Sequence, residues 1–191
     1  MLLDELERLF VAEGFAHLSV ADLAARLRVS RSTLYRLATG KQELAELVIS
    51  RMFDRMDESG RAALEQAADP AARVAACLGD RASVRTGGLE FSRDLETNMG
   101  TRAICDRRQA LVMGVLEGLI EDGVRSGGFR PVPAALVVQV ADAAHTRLRD
   151  AAVLAALGMT HSEAIDTLTS ILLDGISGPG TVVPGPDDLA E

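Results

Sequence analysis

Between Leu23 and Gln42 the chain carries five basic residues, Arg26, Arg28, Arg31, Arg36 and Lys41, and no acidic one. The chain as a whole is acidic, with 20 Lys and Arg against 28 Asp and Glu and a formal net charge of −8. A positive stretch in that background has a specific chemistry. Arg and Lys neutralise phosphates, the main source of sequence-independent affinity for nucleic acid. Ser30, Ser32, Thr33 and Tyr35 are interleaved with these charges. Arg pairs with guanine edges, Thr meets a thymine methyl or a phosphate, and the Tyr hydroxyl suits phosphate. Lys41 is placed to open a helix, where its ammonium and the free N–H groups of the first turn converge on one anion.

Other chemistry is weakly marked. There is no Gly-x-Ser-x-Gly, no phosphate-binding loop and no paired-cysteine motif, so catalysis is not expected. Cys77 and Cys105 stand alone and read as small buried hydrophobes. Asp142 and His145 share a helix face at i, i+3, but no third ligand accompanies them. A local hydrogen bond is the expectation there, with no metal and no cofactor.

The elements that must position the basic stretch are helices throughout. The composition is 48% hydrophobic and 25% charged, enough apolar material for a core and against wholesale disorder. Alanine and leucine dominate, apolar residues recur at helical spacing, and proline is sparse before the C-terminal tail. Helices are expected near 2–13, from Val20 to about Leu27, 31–37, 41–66, 70–84, 88–98, 101–126, 132–157 and 161–175. Ser19 with Asp22 and Thr160 with Glu163 have capping-box spacing, and Ser30 is placed to cap the third helix. Gly127, Gly128 and Pro131 mark a break between two long helices. Residues 176–191, rich in Pro and Gly and acidic at the end, are expected to be a disordered tail. The longest uncharged runs, such as Ala151–Ser162, fall short of the roughly 18 residues a membrane span needs. With no signal-peptide pattern at the N-terminus, a cytoplasmic chain with no membrane partner is expected.

Three short helices, the last two joined by a tight turn, form a helix-turn-helix pattern over about 20–39. Leu23, Ala24, Leu27, Val29, Leu34 and Leu37 are its expected inward positions, leaving Arg31, Ser32, Thr33, Tyr35 and Arg36 outward. Such patterns also arise by chance, and arginine runs also form plain solvated faces, so pattern and charge leave both readings open. The residues Phe10-Val-Ala-Glu-Gly14-Phe15, Ser19-Val-Ala-Asp22-Leu-Ala24, Val29-Ser30-Arg-Ser-Thr33-Leu34-Tyr35 and Lys41-Gln-Glu-Leu44 add order and spacing. Together they resemble the N-terminal domain of TetR-family transcriptional regulators over roughly residues 2–50, with a looser likeness in the all-helical layout beyond.

The resemblance implies an all-α chain with a helix-turn-helix DNA-binding domain at 1–46, an effector-binding and dimerisation domain at 47–175, and the tail at 176–191. It implies Ser30, Arg31, Ser32, Thr33, Tyr35, Arg36 and Lys41 as DNA-contacting residues. Four departures from the family pattern accompany it. Arg28 stands at a usual turn glycine, Ala38 at a usual aromatic, and Gly40 at a usual Ser cap. The basic arm before the first helix is missing, from which fewer phosphate contacts are expected.

In the larger domain, Leu136, Val140, Ala144 and Leu148 on one helix and Leu168, Ile171 and Leu172 on the last suit the paired-helix dimer interface that the family implies. Ile165 joins the last stripe, and both stripes also fit ordinary intrachain core. A two-fold dimer sets its recognition helices about one DNA turn apart and so requires a pseudo-palindromic operator. Candidates for contact with an unknown small-molecule effector are Phe91, Leu95, Met99, Gln109, Met113, Gln139, Asp142 and His145, with Asp94 a further polar candidate. With no Trp or Tyr beyond residue 50, an aliphatic, Met-lined pocket is expected over an aromatic cage. These readings converge on a ligand-responsive repressor bound to a double-stranded DNA operator. The competing reading is a helical dimer that acts through protein partners or carries a small molecule, its helix-turn-helix vestigial.

Overall fold

The computed structural model describes residues 1–79 and 89–177, and every regular element among them is an α-helix. In chain order these are α1 (Leu2–Glu13), α2 (Val20–Arg26), α3 (Arg31–Tyr35), α4 (Lys41–Gln66), α5 (Pro70–Gly79), α6 (Leu89–Thr97), α7 (Met99–Arg125), α8 (Ala134–Arg147), α9 (Ala151–Leu157) and α10 (His161–Ser177). The expected C-terminal tail lies outside the described residues from 178 onward, and its first two positions are the end of α10. The last residues of the helix expected at 70–84 also lie outside them.

The chain divides into two compact units, Met1–Glu65 with Asp80–Gly114 and Gln66–Gly79 with Val115–Glu191. The boundary expected at 46/47 therefore falls inside the continuous helix α4. The reason is the buried stripe of that helix: Leu44, Ala45, Val48, Ile49, Met52 and Phe53 repeat at i, i+1, i+4, i+5 and onward, without a break at residue 46. They join Leu6, Phe10, Phe15, Leu18, Leu23, Ala24, Leu34 and Ala38, together with Phe91 and Leu95 of α6, in one core. Farther along α4, the buried Arg108 of α7 pairs with Asp57 at 2.9 Å and lies 5.1 Å from the centroid of the Phe53 ring.

In the second unit α10 packs on α5 and α8. Val74, Cys77 and Leu78 of α5, Val138 and Ala141 of α8, and Ala164, Ile165 and Ile176 of α10 are buried. His145 is buried too, and its ring meets that of His161 edge-on at 5.8 Å. Among the described residues no helix is long and apolar enough to cross a membrane.

Helix ends follow local chemistry. At the end of α7 the N–H of Gly127, at φ 77°, donates to Val124 and that of Gly128 to Gly123, closing the last carbonyls. The stretch expected as one helix over 132–157 is two helices. Asp150 is responsible: its side chain accepts from the Ala152 N–H at 2.9 Å, starting α9 afresh after Leu148 ends α8. The third helix is also shorter than expected, five residues with Arg36 as its C-cap.

Gly123 faces the buried ring of Phe129, and a Cβ there would lie 2.1 Å from Cδ2 of that ring. Gly123→Ala is expected to destabilise the chain by about 1–3 kcal/mol, as overpacking does. Thermal melts should show a midpoint several degrees lower, and adding Phe129→Leu should recover part of the loss.

Candidate nucleic-acid interface

The interface is built from the turn outward. In α2 the Ser19 N–H donates to Asp22 at 2.8 Å and the Asp22 N–H donates back to Ser19 Oγ at 3.2 Å, the reciprocal box that starts the helix. The helix ends as a Schellman turn, with Arg28 N–H donating to Ala25 and Val29 N–H to Ala24. That turn needs a left-handed residue, and Arg28 takes φ 54° without being glycine. Ser30 Oγ then accepts from the Thr33 N–H at 3.1 Å and contacts the hydroxyls of Ser32 and Thr33 at 2.7 and 2.8 Å, capping α3. Leu23, Ala24 and Leu34 are buried, while Leu27, Val29 and Leu37 pack on the core half-covered.

With Leu34 and Ala38 inward, Arg31, Ser32, Tyr35 and Arg36 point to solvent, Tyr35 with 53% of its surface exposed. Ser30 is exposed as well, and Thr33 and Lys41 are half-buried. All seven residues expected to contact DNA lie on or beside α3 or at the start of α4. Among the described residues, two of the five cations have partners within the chain. Arg26 pairs with Glu13, and the Lys41 ammonium donates to the carbonyl of Ala16. Where Gly40 offers no side-chain cap, Glu43 accepts from the Thr39 N–H at 2.7 Å and from its hydroxyl at 2.5 Å, closing the entrance to α4. Ala38, which departs from the aromatic usual in the family pattern, is itself buried in the core that also holds Phe10, Phe15 and Phe91.

The residues expected to meet an effector differ in exposure. Phe91 and Leu95 belong to the core of the first unit, where Phe91 meets Phe15 edge-on at 6.4 Å. Met99, the first residue of α7, is 86% exposed. Gln139 shares the outward face of α8 with Leu136 and Val140, opposite the buried Val138 and Ala141. Gln109, Met113 and Asp142 are half-buried and His145 is buried. Asp94 has a role that spacing could not show: its buried carboxylate accepts from the backbone N–H groups of Phe15 and Ala16.

The dimer candidates divide by face. Leu136, Val140 and Ile171 are 60%, 50% and 63% exposed, and Ala144, Leu148, Leu168 and Leu172 are half-buried. Ile165, six residues before Ile171 and so about 240° away around the helix, is core.

This architecture defines an all-α protein whose N-terminal helix-turn-helix presents a basic, hydroxyl-bearing face. Residues 2–48 match the family model of the bacterial regulatory proteins of the tetR family. That match spans α1 to α3 and the start of α4, and solved regulators share the fold almost end to end. A TetR transcription regulator from Haloarcula marismortui superposes with TM-score 0.73 at 18% identity, covering 93% of this chain and 96% of that one. The regulator FadR from Bacillus subtilis, solved with stearoyl-CoA, gives 0.71 at 14% identity, covering 92% and 97%. A regulator from Saccharomonospora viridis, solved with choline, gives 0.70 at 18%, covering 93% and 96%. No curated protein matches the sequence.

The caps make the domain acid-sensitive. The Ser19 hydroxyl and N–H hold the Asp22 carboxyl below its ordinary range, and the Thr39 hydroxyl and N–H do the same for Glu43. A carboxyl whose folded pKa is depressed stabilises fully above its unfolded pKa, and that contribution is lost as pH falls through the folded value. Melting temperatures of the native chain should therefore fall across the acid carboxylate range. Asp22→Asn/Glu43→Gln should melt lower at neutral pH, and the gap should close on acidification.

Proposed function

We propose that this chain is a ligand-responsive transcriptional regulator, a repressor that binds a pseudo-palindromic DNA operator as a homodimer and leaves it when a small molecule binds. The observation that carries this reading is the outward face of α3. Arg31, Ser32, Tyr35 and Arg36 are all exposed on a helix whose opposite side is locked by Leu34. Exposed guanidinium and phenol groups on a short helix fit major-groove reading and phosphate contact together. Repression and release need only an effector that binds better to a state with misplaced recognition helices.

Effector binding is supported by the solved regulators of this fold that hold stearoyl-CoA or choline. In this chain Gln109 and Met113 on α7 and Asp142 on α8 are half-buried and His145 on α8 is buried, and each is a separate candidate for effector contact. Dimerisation is supported by the exposed Leu136 and Val140 on α8 and Ile171 on α10, apolar groups that a second copy would cover. As a regulator of this kind the protein works in the cytoplasm and is not an enzyme.

Fluorescence anisotropy on the protein's own upstream DNA, against scrambled DNA across a salt series, tests the function. Preferential, salt-weakened binding is expected, and equal weak binding to both would defeat the operator reading. Lys41→Ala should weaken binding to every sequence and reduce the salt slope by about one. Arg36→Ala should relax preference at one base position instead.

Light scattering at micromolar concentration should give the mass of a dimer. Val140→Asp/Ile171→Asp should give a folded monomer, as a charge on each side of the contact would be buried unpaired.

A further inference from the structure

The geometry points to Asp94 as the positioning residue through which α6 sets the DNA-contacting ammonium of Lys41, acting through the backbone of Phe15 and Ala16. Asp94 is 4% exposed and lies 79 residues from Phe15 in sequence. Its Oδ2 accepts from the Phe15 N–H at 2.5 Å and from the Ala16 N–H at 2.7 Å. These are the first two N–H groups after Gly14, which caps α1, and they have left the helical ladder. A carboxylate withdrawn from water is costly unless hydrogen-bonded to donors of this kind, and bonds to an ionised acceptor are about twice as strong as neutral ones.

Three further contacts make the join close. A Cβ on Gly14, itself at φ 79°, would lie 2.7 Å from Asp94 Oδ2 and 3.0 Å from Glu90 Cβ, so backbone and α6 already stand as near as glycine allows. One turn of α6 supplies Phe91, Asp94 and Leu95 at i, i+3 and i+4, so the apolar contact with Phe15 and the carboxylate share one face. The carbonyl of Ala16, whose N–H Asp94 holds, accepts from the Lys41 ammonium. An ammonium has three donors, and that bond leaves two for a phosphate. The Phe15–Ala16 segment is thus gripped from α6 on its N–H side and orients Lys41 on its carbonyl side. The Asp94 carboxylate touches no DNA.

The inference rests on the reading that Lys41 meets a DNA phosphate, and the experiment separates the two. Wild-type full-length protein, Asp94→Ala and Asp94→Asn are each measured with and without Lys41→Ala, by anisotropy on a duplex that the wild type binds. Asp94→Ala is expected to weaken binding on the order of tenfold, since two buried donors lose their acceptor. Asp94→Asn, which keeps one oxygen facing both N–H groups, should recover most of that loss.

The discriminating result is the cycle. The Lys41→Ala penalty should shrink to less than about twofold in the Asp94→Ala background, because a misplaced ammonium has little left to lose. A penalty of the same fold in both backgrounds, or unchanged affinity in Asp94→Ala, overturns the proposal. Hydrogen exchange supplies the arm that needs no DNA. The Phe15 and Ala16 amides should exchange at least about tenfold faster in Asp94→Ala, while those of the α4 core do not change. Unchanged exchange at both amides overturns the inference by itself. A wild type that binds no DNA defeats the functional reading while leaving this structural arm intact. Should Asp94→Ala not fold, Gly14→Ala attacks the same join from the other side and is expected to reproduce the weaker binding.

Discussion

The exposed face of α3 depends on the burial of Leu34. The helix that carries it has five residues, far below the length at which a helix persists alone in water. It exists because Leu34 is buried in the core that also holds Phe10, Leu23 and Leu44, and because Ser30 satisfies the Thr33 N–H at its start. That single anchor also fixes its rotation. Once Leu34 is inward, Arg31, Tyr35 and Arg36 have no option but solvent. The remainder of the first unit, from the stripe of α4 to the aromatic contact of Phe15 with Phe91, serves to give Leu34 somewhere to go.

What could be read from sequence was what is local. The Ser19–Asp22 and Thr160–Glu163 boxes, the Gly127–Gly128 stop and the turn at Arg28 each act within five residues, so spacing reveals them. The break before α9 was missed because Leu148, Arg149 and Asp150 pass as helix surface. An Asp directly before the run Ala151–Leu157 was the signal that could have found it. Asp94 was beyond reach for a different reason. A lone acid on an apolar helix looks the same whether it faces a ligand or a distant backbone, and its partners are 78 and 79 residues away.

Charge is arranged against the average of the chain. The net charge of −8 repels polyanions at long range, whereas the cations of residues 26–41 act at contact distance, within a Debye length of about 8–10 Å at physiological salt. One of those cations, Arg26, is already committed to Glu13. The acidic remainder disfavours the casual, sequence-blind adhesion to nucleic acid that a uniformly basic protein would show.

Arg28 sits in a left-handed turn, φ 54°, where glycine would rest without strain. A side chain there costs on the order of 1 kcal/mol, and in return the turn between the two helices gains a cation beside the reading face. Heat tolerance and electrostatic reach therefore pull on one residue in opposite directions. Directed evolution of this domain for stability alone would tend to drift toward glycine at that position, and its product would be a sturdier fold with a weaker grip.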